Sequence, residues 1–172
     1  MLPAKLKNFM LFNDAQSYLG EVGEVTLPKL ARKMEKWRGG GMLGEVDIDM
    51  GQEPIELEWM AGGMLRQVLR QFGTNDIGGV LLRFAGAYQR DDGGQNHLVE
   101  IVVKGRHAEI DMGNAKAGDD TEWKIKTSCV YYKLSIDGTT EVEIDMLHGL
   151  FNVGGSNLAA DLLDLLGLAT AL

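Results

Sequence analysis

Few side chains in this sequence stand at spacings that could do chemistry. His107, Glu109 and Asp111 lie two residues apart, and on a straight strand they would share a face as metal ligands. Polar strand-end residues follow the same pattern far more often. Asp47/Asp49 and Glu141/Glu143 are carboxylate pairs whose members would sit ~6.6–6.8 Å apart along a strand. That is near the separation used in glycoside hydrolysis, but such pairs come from different strands across a cleft. An acidic sheet face is the simpler account. Gly39, Gly40 and Gly41 are not a phosphate loop. The Gly-Lys-Ser/Thr ending is missing, and acids that would repel phosphate follow. Cys129 lies among apolar strand residues, where a buried inert thiol is expected rather than a nucleophile. His97 and His148 are scattered. These residues predict no catalytic centre, no metal site and no cofactor.

The elements that must carry these residues read mostly as strands. Val46, Ile48 and Met50 alternate with Glu45, Asp47 and Asp49, and Ile55, Leu57 and Trp59 alternate with Glu56 and Glu58. A period of two predicts half-buried strands. The turn-like stretch from Gly51 to Pro54 predicts that they pair as a hairpin. Leu82, Phe84 and Tyr88 form a strand that ends at Arg90-Asp91-Asp92-Gly93-Gly94, after which Val99, Ile101 and Val103 resume the period in a second hairpin. Trp123, Ile125, Thr127 and Cys129 share one face, but the apolar phase then moves to Val130, Tyr132, Leu134 and Ile136. A period of two cannot change phase without an extra residue, so a bulge or bend is expected near Cys129-Val130. Asp137-Gly138 predicts a tight turn into Val142, Ile144 and Met146, the third hairpin.

Two stretches read as helices. Met64 to Phe72 sets Leu65, Val68, Leu69 and Phe72 at helical spacing, with Arg66, Gln67, Arg70 and Gln71 outward and Gly73 as the stop. Residues 157–167 open on Asn157, repeat Leu158, Leu162, Leu165 and Leu166, and stop at Gly167. Residues 28–45 have no regular period. They read as a mobile surface loop or as an arm that orders against a neighbour, with Trp37 as its anchor. The fold class is mainly β: an antiparallel sandwich or barrel-like subunit with one flanking helix, a long extended arm and a short C-terminal helix. The whole chain, 1–172, reads as a single domain.

Charge and composition narrow the function classes. Hydrophobic residues make up 45% of the chain, enough for one core. No apolar run approaches the ~18 residues of a membrane helix, and no signal peptide is read at the N-terminus. A single cysteine permits no internal disulfide, which fits assembly in a reducing compartment. The net charge of −8 argues against a simple DNA-binding protein. Residues 1–40 carry a balance of +3, so the remainder carries −11. Lys29, Arg32, Lys33, Lys36 and Arg38 surround one acid, Glu35, and Glu45, Asp47, Asp49, Glu53, Glu56 and Glu58 follow without a base among them. Such neighbours can be solvated surface, or patches by which a self-assembling subunit meets the next copy.

One segment resembles a known family: Leu11-Phe12-Asn13-Asp14, Tyr18, Val25-Thr26-Leu27-Pro28-Lys29-Leu30, Trp37-Arg38-Gly39-Gly40-Gly41-Met42 and Val46-Asp47-Ile48-Asp49-Met50-Gly51. It resembles the major tail tube proteins of contractile-tail phages, a family shared with the R-type pyocin inner tube. Tyr131 to Gly138, Val142 to Met146 and Leu158 to Leu168 extend the resemblance over nearly the whole chain. Trp37, where a tyrosine is expected, and Ala15, where a glycine is common, depart from the pattern.

The resemblance implies a non-enzymatic subunit. It forms hexameric rings that stack head-to-tail into a hollow tube inside the sheath, located in the virion tail and assembled in the host cytoplasm. The implied partners are other copies of itself and the sheath, tape-measure, baseplate and tail-terminator proteins. DNA passes through without specific binding, and nothing inserts in a membrane; in a pyocin the tube punctures the envelope instead. About four lumen-lining strands per subunit give about 24 strands, a circumference of ~115 Å and a backbone diameter of ~37 Å before tilt. The inter-subunit arm would comprise Leu27, Pro28, Lys29, Leu30, Arg32, Lys33, Lys36, Trp37, Arg38, Gly39, Gly40, Gly41 and Met42. Asp47, Asp49, Glu56, Glu58, Glu141 and Glu143 are candidates for lumen or stacking acids, since an acidic wall repels the duplex. The alternatives are the tube protein of a bacterial secretion or injection system and, in another class, a β-sandwich module that binds a metal or a sugar.

Overall fold

In the computed structural model, which describes residues 1–168, long amphipathic strands curl around one core. The chain runs β1 (Lys5–Asn13), β2 (Gln16–Ser17), β3 (Val22–Thr26), β4 (Arg32–Trp37), β5 (Val46–Gln52), β6 (Ile55–Ala61), α1 (Arg66–Gln71), β7 (Val80–Gln89), β8 (His97–Asp111), β9 (Trp123–Ile136), β10 (Thr139–Asp145), β11 (Leu150–Val153), β12 (Ser156–Asn157) and α2 (Ala160–Leu165). Ten strands form one antiparallel sheet in the order β12-β11-β10-β9-β8-β7-β1-β2, with β6 also on β9 and β3 on β6. The mainly β, barrel-like architecture with a flanking helix and a short C-terminal helix is the one expected from the sequence. The last four residues of the single-domain assignment lie outside the described residues.

β9 is the spine. One of its edges pairs with β8 throughout. The other meets β6 through Trp123–Cys129 and β10 beyond it, from Tyr131. The handover falls at Val130. Lys104 pairs with Tyr131 and Gly105 with Cys129, so Val130 is the extra residue of a bulge, where the phase change placed it. The strand comes so close to β8 there that a Cβ on Gly105 would lie 1.9 Å from the Ser128 carbonyl oxygen. The bulge keeps Trp123, Ile125, Thr127, Cys129 and Tyr132 all in the core despite the broken period. The Asp137-Gly138 turn has positive φ at both residues (50° and 82°), the type I′ geometry that suits a two-residue hairpin. The β7–β8 hairpin also forms as expected.

Four expectations are corrected. Residues 46–50 and 55–59 are strands but not partners. β5 pairs with β4, in a separate two-stranded sheet, and β6 pairs with β3 and β9. Gly51, at φ 125°, sits at the irregularity in the β4–β5 register, and Glu53-Pro54 then carry the chain into the other sheet. Consequently Val46, Ile48 and Met50 are not half-buried but 44–59% exposed. α1 buries Leu65 and Val68 and leaves Leu69 and Phe72 exposed, because the sheet covers the side that bears Gln67 and Gln71. At the C-terminus Asn157 belongs to β12, and the helix begins at Ala160. The Asn157 side-chain oxygen accepts from the backbone N–H groups of Phe151 and Ala159. Finally, β1 is a long strand between β7 and the terminal β2 that the sequence patterning did not single out.

Candidate assembly surfaces

The segment read as a loop or arm is a β-hairpin standing apart from the main sheet. Its register pairs Met34 with Asp49, Glu35 with Ile48, Lys36 with Asp47 and Trp37 with Val46. Directly opposed residues share a face, so Met34 joins the side of Asp47 and Asp49, and Glu35 joins that of Trp37, Val46 and Ile48. On one face Arg32 holds Asp49 at 2.8 Å and Lys36 meets Asp47 at 3.5 Å. The hydrogen bond from Arg32, with a second from the Gly51 N–H, holds the Asp49 carboxyl below the usual carboxylate range. The other face carries Trp37, Val46 and Ile48, all exposed. Exposed aromatic and aliphatic side chains on an element with no core of its own make this face a candidate interaction surface.

The base of the hairpin is fastened. The Arg32 guanidinium lies 4.5 Å over the ring of Phe151, and the Ala31 carbonyl accepts from the Glu53 N–H and the Gln52 side chain. At the tip Gly41 supplies a positive φ of 81°, Arg38 donates to the Met42 carbonyl, and Leu43 is fully exposed. A Cβ on Gly39 would make ordinary contact with the Trp37 indole nitrogen, 3.5 Å away. Leu27, Lys29, Leu30 and Lys33 are exposed along the approach and Pro28 is half-buried, while Gly40 sits in the tip turn.

The candidate acids do not form one cluster. Asp47 and Asp49 are spent on the hairpin's own cations. Glu56, Glu58 and Glu143 sit on the outward face of the main sheet, opposite Ser128, Lys126 and Lys133 respectively. Glu141 is the extra residue of a second bulge, between Thr140 and Val142. On that outward face Lys126 bridges Glu58 at 3.4 Å and Glu109 at 3.6 Å, and its ammonium is held above its usual value, most strongly by Glu58. Arg83 meets Glu100 at 3.7 Å. The cross-strand register also places Lys104, Arg106 and Lys124 on this face. The wall is therefore of mixed charge, because β9 alternates lysines outward between its core residues.

The three residues weighed as metal ligands part company. Ala108 is a bulge between His107 and Glu109, so His107 turns into the core while Glu109 and Asp111 face out. His107 joins a buried polar network that sequence reading missed. Thr127 Oγ1 and His107 Nδ1 are 2.9 Å apart, and His107 Nε2 is 2.9 Å from Gln71 Oε1. Gln71 also exchanges two bonds with the Asn13 amide, at 2.7 and 2.8 Å. Asn13 in turn donates to the Tyr18 hydroxyl, which donates to Gln67. Since Gln71 Oε1 can only accept, His107 Nε2 carries the proton and Nδ1 accepts from Thr127. Burial pushes the imidazole pKa down to about 4, so the ring is neutral. The network ties α1 to β1, β8 and β9 without any catalytic geometry. Its only sequence signal is a pair of glutamines spaced at i and i+4 on α1.

Cys129 is buried, and desolvation pushes its thiol up to about 12. Among the described residues no group of three metal-ligating side chains converges. No described helix is long and apolar enough to cross a membrane. Two more apolar patches are exposed: Met64, Leu69 and Phe72 around α1, and Leu158, Leu162, Leu165 and Leu166 around α2.

Comparison with known proteins gives this geometry a context. Residues 3–167 match the family described as phage tail tube protein FII. The chain is 43% identical over 157 residues to the tail tube protein of Escherichia phage P2, covering 90% of this chain and 91% of that one. It is 38% identical over 162 residues to the major tail tube protein of Serratia phage KSP20, with 93% of each covered. Among solved structures, it resembles a chain from the sheath/tube terminator of the extracellular contractile injection system PVC in its extended state. The TM-score is 0.59 at 11% identity, over 78% of this chain and 98% of that one. A chain of the PVC sheath-tube complex in the extended state gives 0.57 at 10% identity, over 77% and 91%. These last two likenesses concern the fold.

Proposed function

The chain belongs to the phage tail tube protein family, structural and non-enzymatic components of the virion tail, and from that premise we propose that it closes into hexameric rings that stack head-to-tail as the hollow inner tube. The observation that carries this reading is the β4–β5 hairpin. It projects from the main sheet and exposes Trp37, Val46 and Ile48 on one face. A lone two-stranded hairpin is marginal in water, so its apolar face needs a neighbour. If that face meets a different surface of the next copy, the contact is heterologous and can close by rotation or continue as a stack.

The outward face of the ten-stranded sheet is the natural lumen wall in this reading. Its acids and cations alternate, so a passing duplex meets no continuous basic track that would bind phosphates and release counterions. DNA passes without specific binding. The sheath meets the outside of the tube, the tape-measure protein fills it during growth, and baseplate and tail-terminator proteins cap its ends. Assembly takes place in the host cytoplasm. Arm residues 27–42 act between subunits, and Glu56, Glu58 and Glu143 are the acids best placed toward the lumen. Asp47 and Asp49, already paired with Lys36 and Arg32, hold the arm's shape instead.

Negative-stain electron microscopy of the purified protein across a concentration series, with light scattering alongside, tests this. Hollow particles of uniform width, forming alone or on added baseplate, are expected. A subunit that stays monomeric in both conditions contradicts the reading.

A further inference from the structure

We propose that the acidic, leucine-rich α2 end of one subunit docks on the basic outer face of α1 in a neighbouring copy. The inference rests on the tube-subunit reading and adds a specific contact to it.

The two patches are mirror images in chemistry. On α1 the outward side bears Arg66, Leu69 and Arg70, with Met64 and Phe72 at its ends; Leu69 is 40% exposed and Phe72 58%. Neither arginine makes an ion pair or side-chain hydrogen bond among the described residues, and no acid lies between Met64 and Phe72. The shallow groove beside them, about 400 Å³, borders one acid, Glu21. On α2 Ala160 and Leu163 are half-buried, Leu163 against Gly149. Leu162 and Leu165 point out at 68% and 83% exposure, Leu158 and Leu166 extend the patch, and Asp161 and Asp164 flank it. These aspartates make no ion pair among the described residues, and no base lies between residues 149 and 168.

Neither patch is covered by the other described residues of its own chain. α2 follows β12, at one end of the sheet path, whereas α1 is bonded to Asn13 of β1, next to the other end. The two patches lie on different elements, one after β12 and one bonded to β1 and β8, so one copy can offer its α2 patch to the α1 patch of the next in a head-to-tail contact. A second copy fits, because it brings cations flanking apolar groups to anions flanking apolar groups. Leucines this exposed are unusual on a face that stays in water and ordinary in an interface core.

The test uses charge reversal at exposed positions and its rescue in one chain. Arg66→Glu/Arg70→Glu and Asp161→Lys/Asp164→Lys each place like charges across the contact. Each is expected to raise the critical concentration for tube formation by about 10-fold or more. The chain carrying all four reversals has complementary contacts again and assembles close to the wild-type concentration. Tubes from the wild type with no rescue in the fourfold variant overturn this contact while leaving the tube reading intact; a wild type that makes no tubes overturns both. A second readout is independent of charge. In tubes built from an equal mixture of Leu69→Cys and Leu162→Cys subunits, oxidation should give disulfide-linked dimers of unlike subunits. The buried Cys129 does not compete. Tubes without that crosslink refute the contact.

Discussion

Replacing Gln71 by alanine should destabilise the subunit by about 2–4 kcal/mol, much more than its place on a half-exposed helix suggests. Its side chain makes three bonds: Asn13 Nδ2 to Oε1 at 2.7 Å, Nε2 to Asn13 Oδ1 at 2.8 Å, and His107 Nε2 to Oε1 at 2.9 Å. Truncation leaves Asn13 Oδ1 and the His107 N–H without partners. Asn13 is 0% and His107 4% exposed, so their desolvation is not repaid by bulk water. Each orphaned group costs about 1–3 kcal/mol, giving about 2–6 in all. Water entering beside the half-exposed Gln71 lowers the upper bound. Urea unfolding of the isolated subunit, followed by tryptophan fluorescence, reads the change in midpoint and slope. Gln67→Ala leaves His107 and the Asn13 amide bonded and takes the acceptor from one buried donor, the Tyr18 hydroxyl, so it should cost less. A Gln71→Ala variant within about 0.5 kcal/mol of wild type would mean that the network does not tie α1 to the sheet.

The remaining predictions concern neighbouring features. His107 has its pKa lowered from 6.5 to about 4 by burial, so the unfolded chain takes up the proton first. The stability from its neutral form is complete above about pH 6.5 and is lost as pH falls toward 4. The loss is at most about 3 kcal/mol, and it should be missing from the pH profile of His107→Gln. Gly105→Ala places a Cβ against the Ser128 carbonyl oxygen where β9 bulges. It should cost about 3 kcal/mol or more, or prevent folding, as read by thermal unfolding and by soluble yield. Trp37→Ala should leave subunit stability within about 0.5 kcal/mol, because Trp37 is 58% exposed. It should nevertheless raise the critical concentration for assembly by at least about 30-fold, as expected for a buried interface anchor, measured by sedimentation.

Local period carried much of the fold in the sequence. The β7–β8 and β9–β10 hairpins and the Val130 bulge all follow from side-chain alternation and turn residues within a few positions. What stayed hidden depended on distant partners. Val46, Ile48 and Met50 alternate like any half-buried strand. Nothing in the sequence reveals that their partner is β4, outside the main sheet, where the described residues leave them exposed. The same holds for Leu162 and Leu165, whose helical spacing is real and whose burial within the subunit is not. Gln67 and Gln71 read as solvent-facing because glutamine usually is; only tertiary contact with Asn13, Tyr18 and His107 turns them inward. The acidic run at residues 45–58 looked like one surface. Pairing divides it between the hairpin, where Arg32 and Lys36 neutralise it, and the main sheet, where β9 sets lysines beside it.

The central claim is that the free apolar face of the β4–β5 hairpin is an interface between copies in a stacked hexameric tube. A cryo-electron microscopy reconstruction of the assembled protein tests it directly. Hexameric rings are expected about a hollow channel with a backbone diameter of ~37 Å or somewhat more with strand tilt, with Trp37, Val46 and Ile48 buried against an adjacent subunit. Tubes in which that face remains in solvent, or particles without a channel, would contradict it.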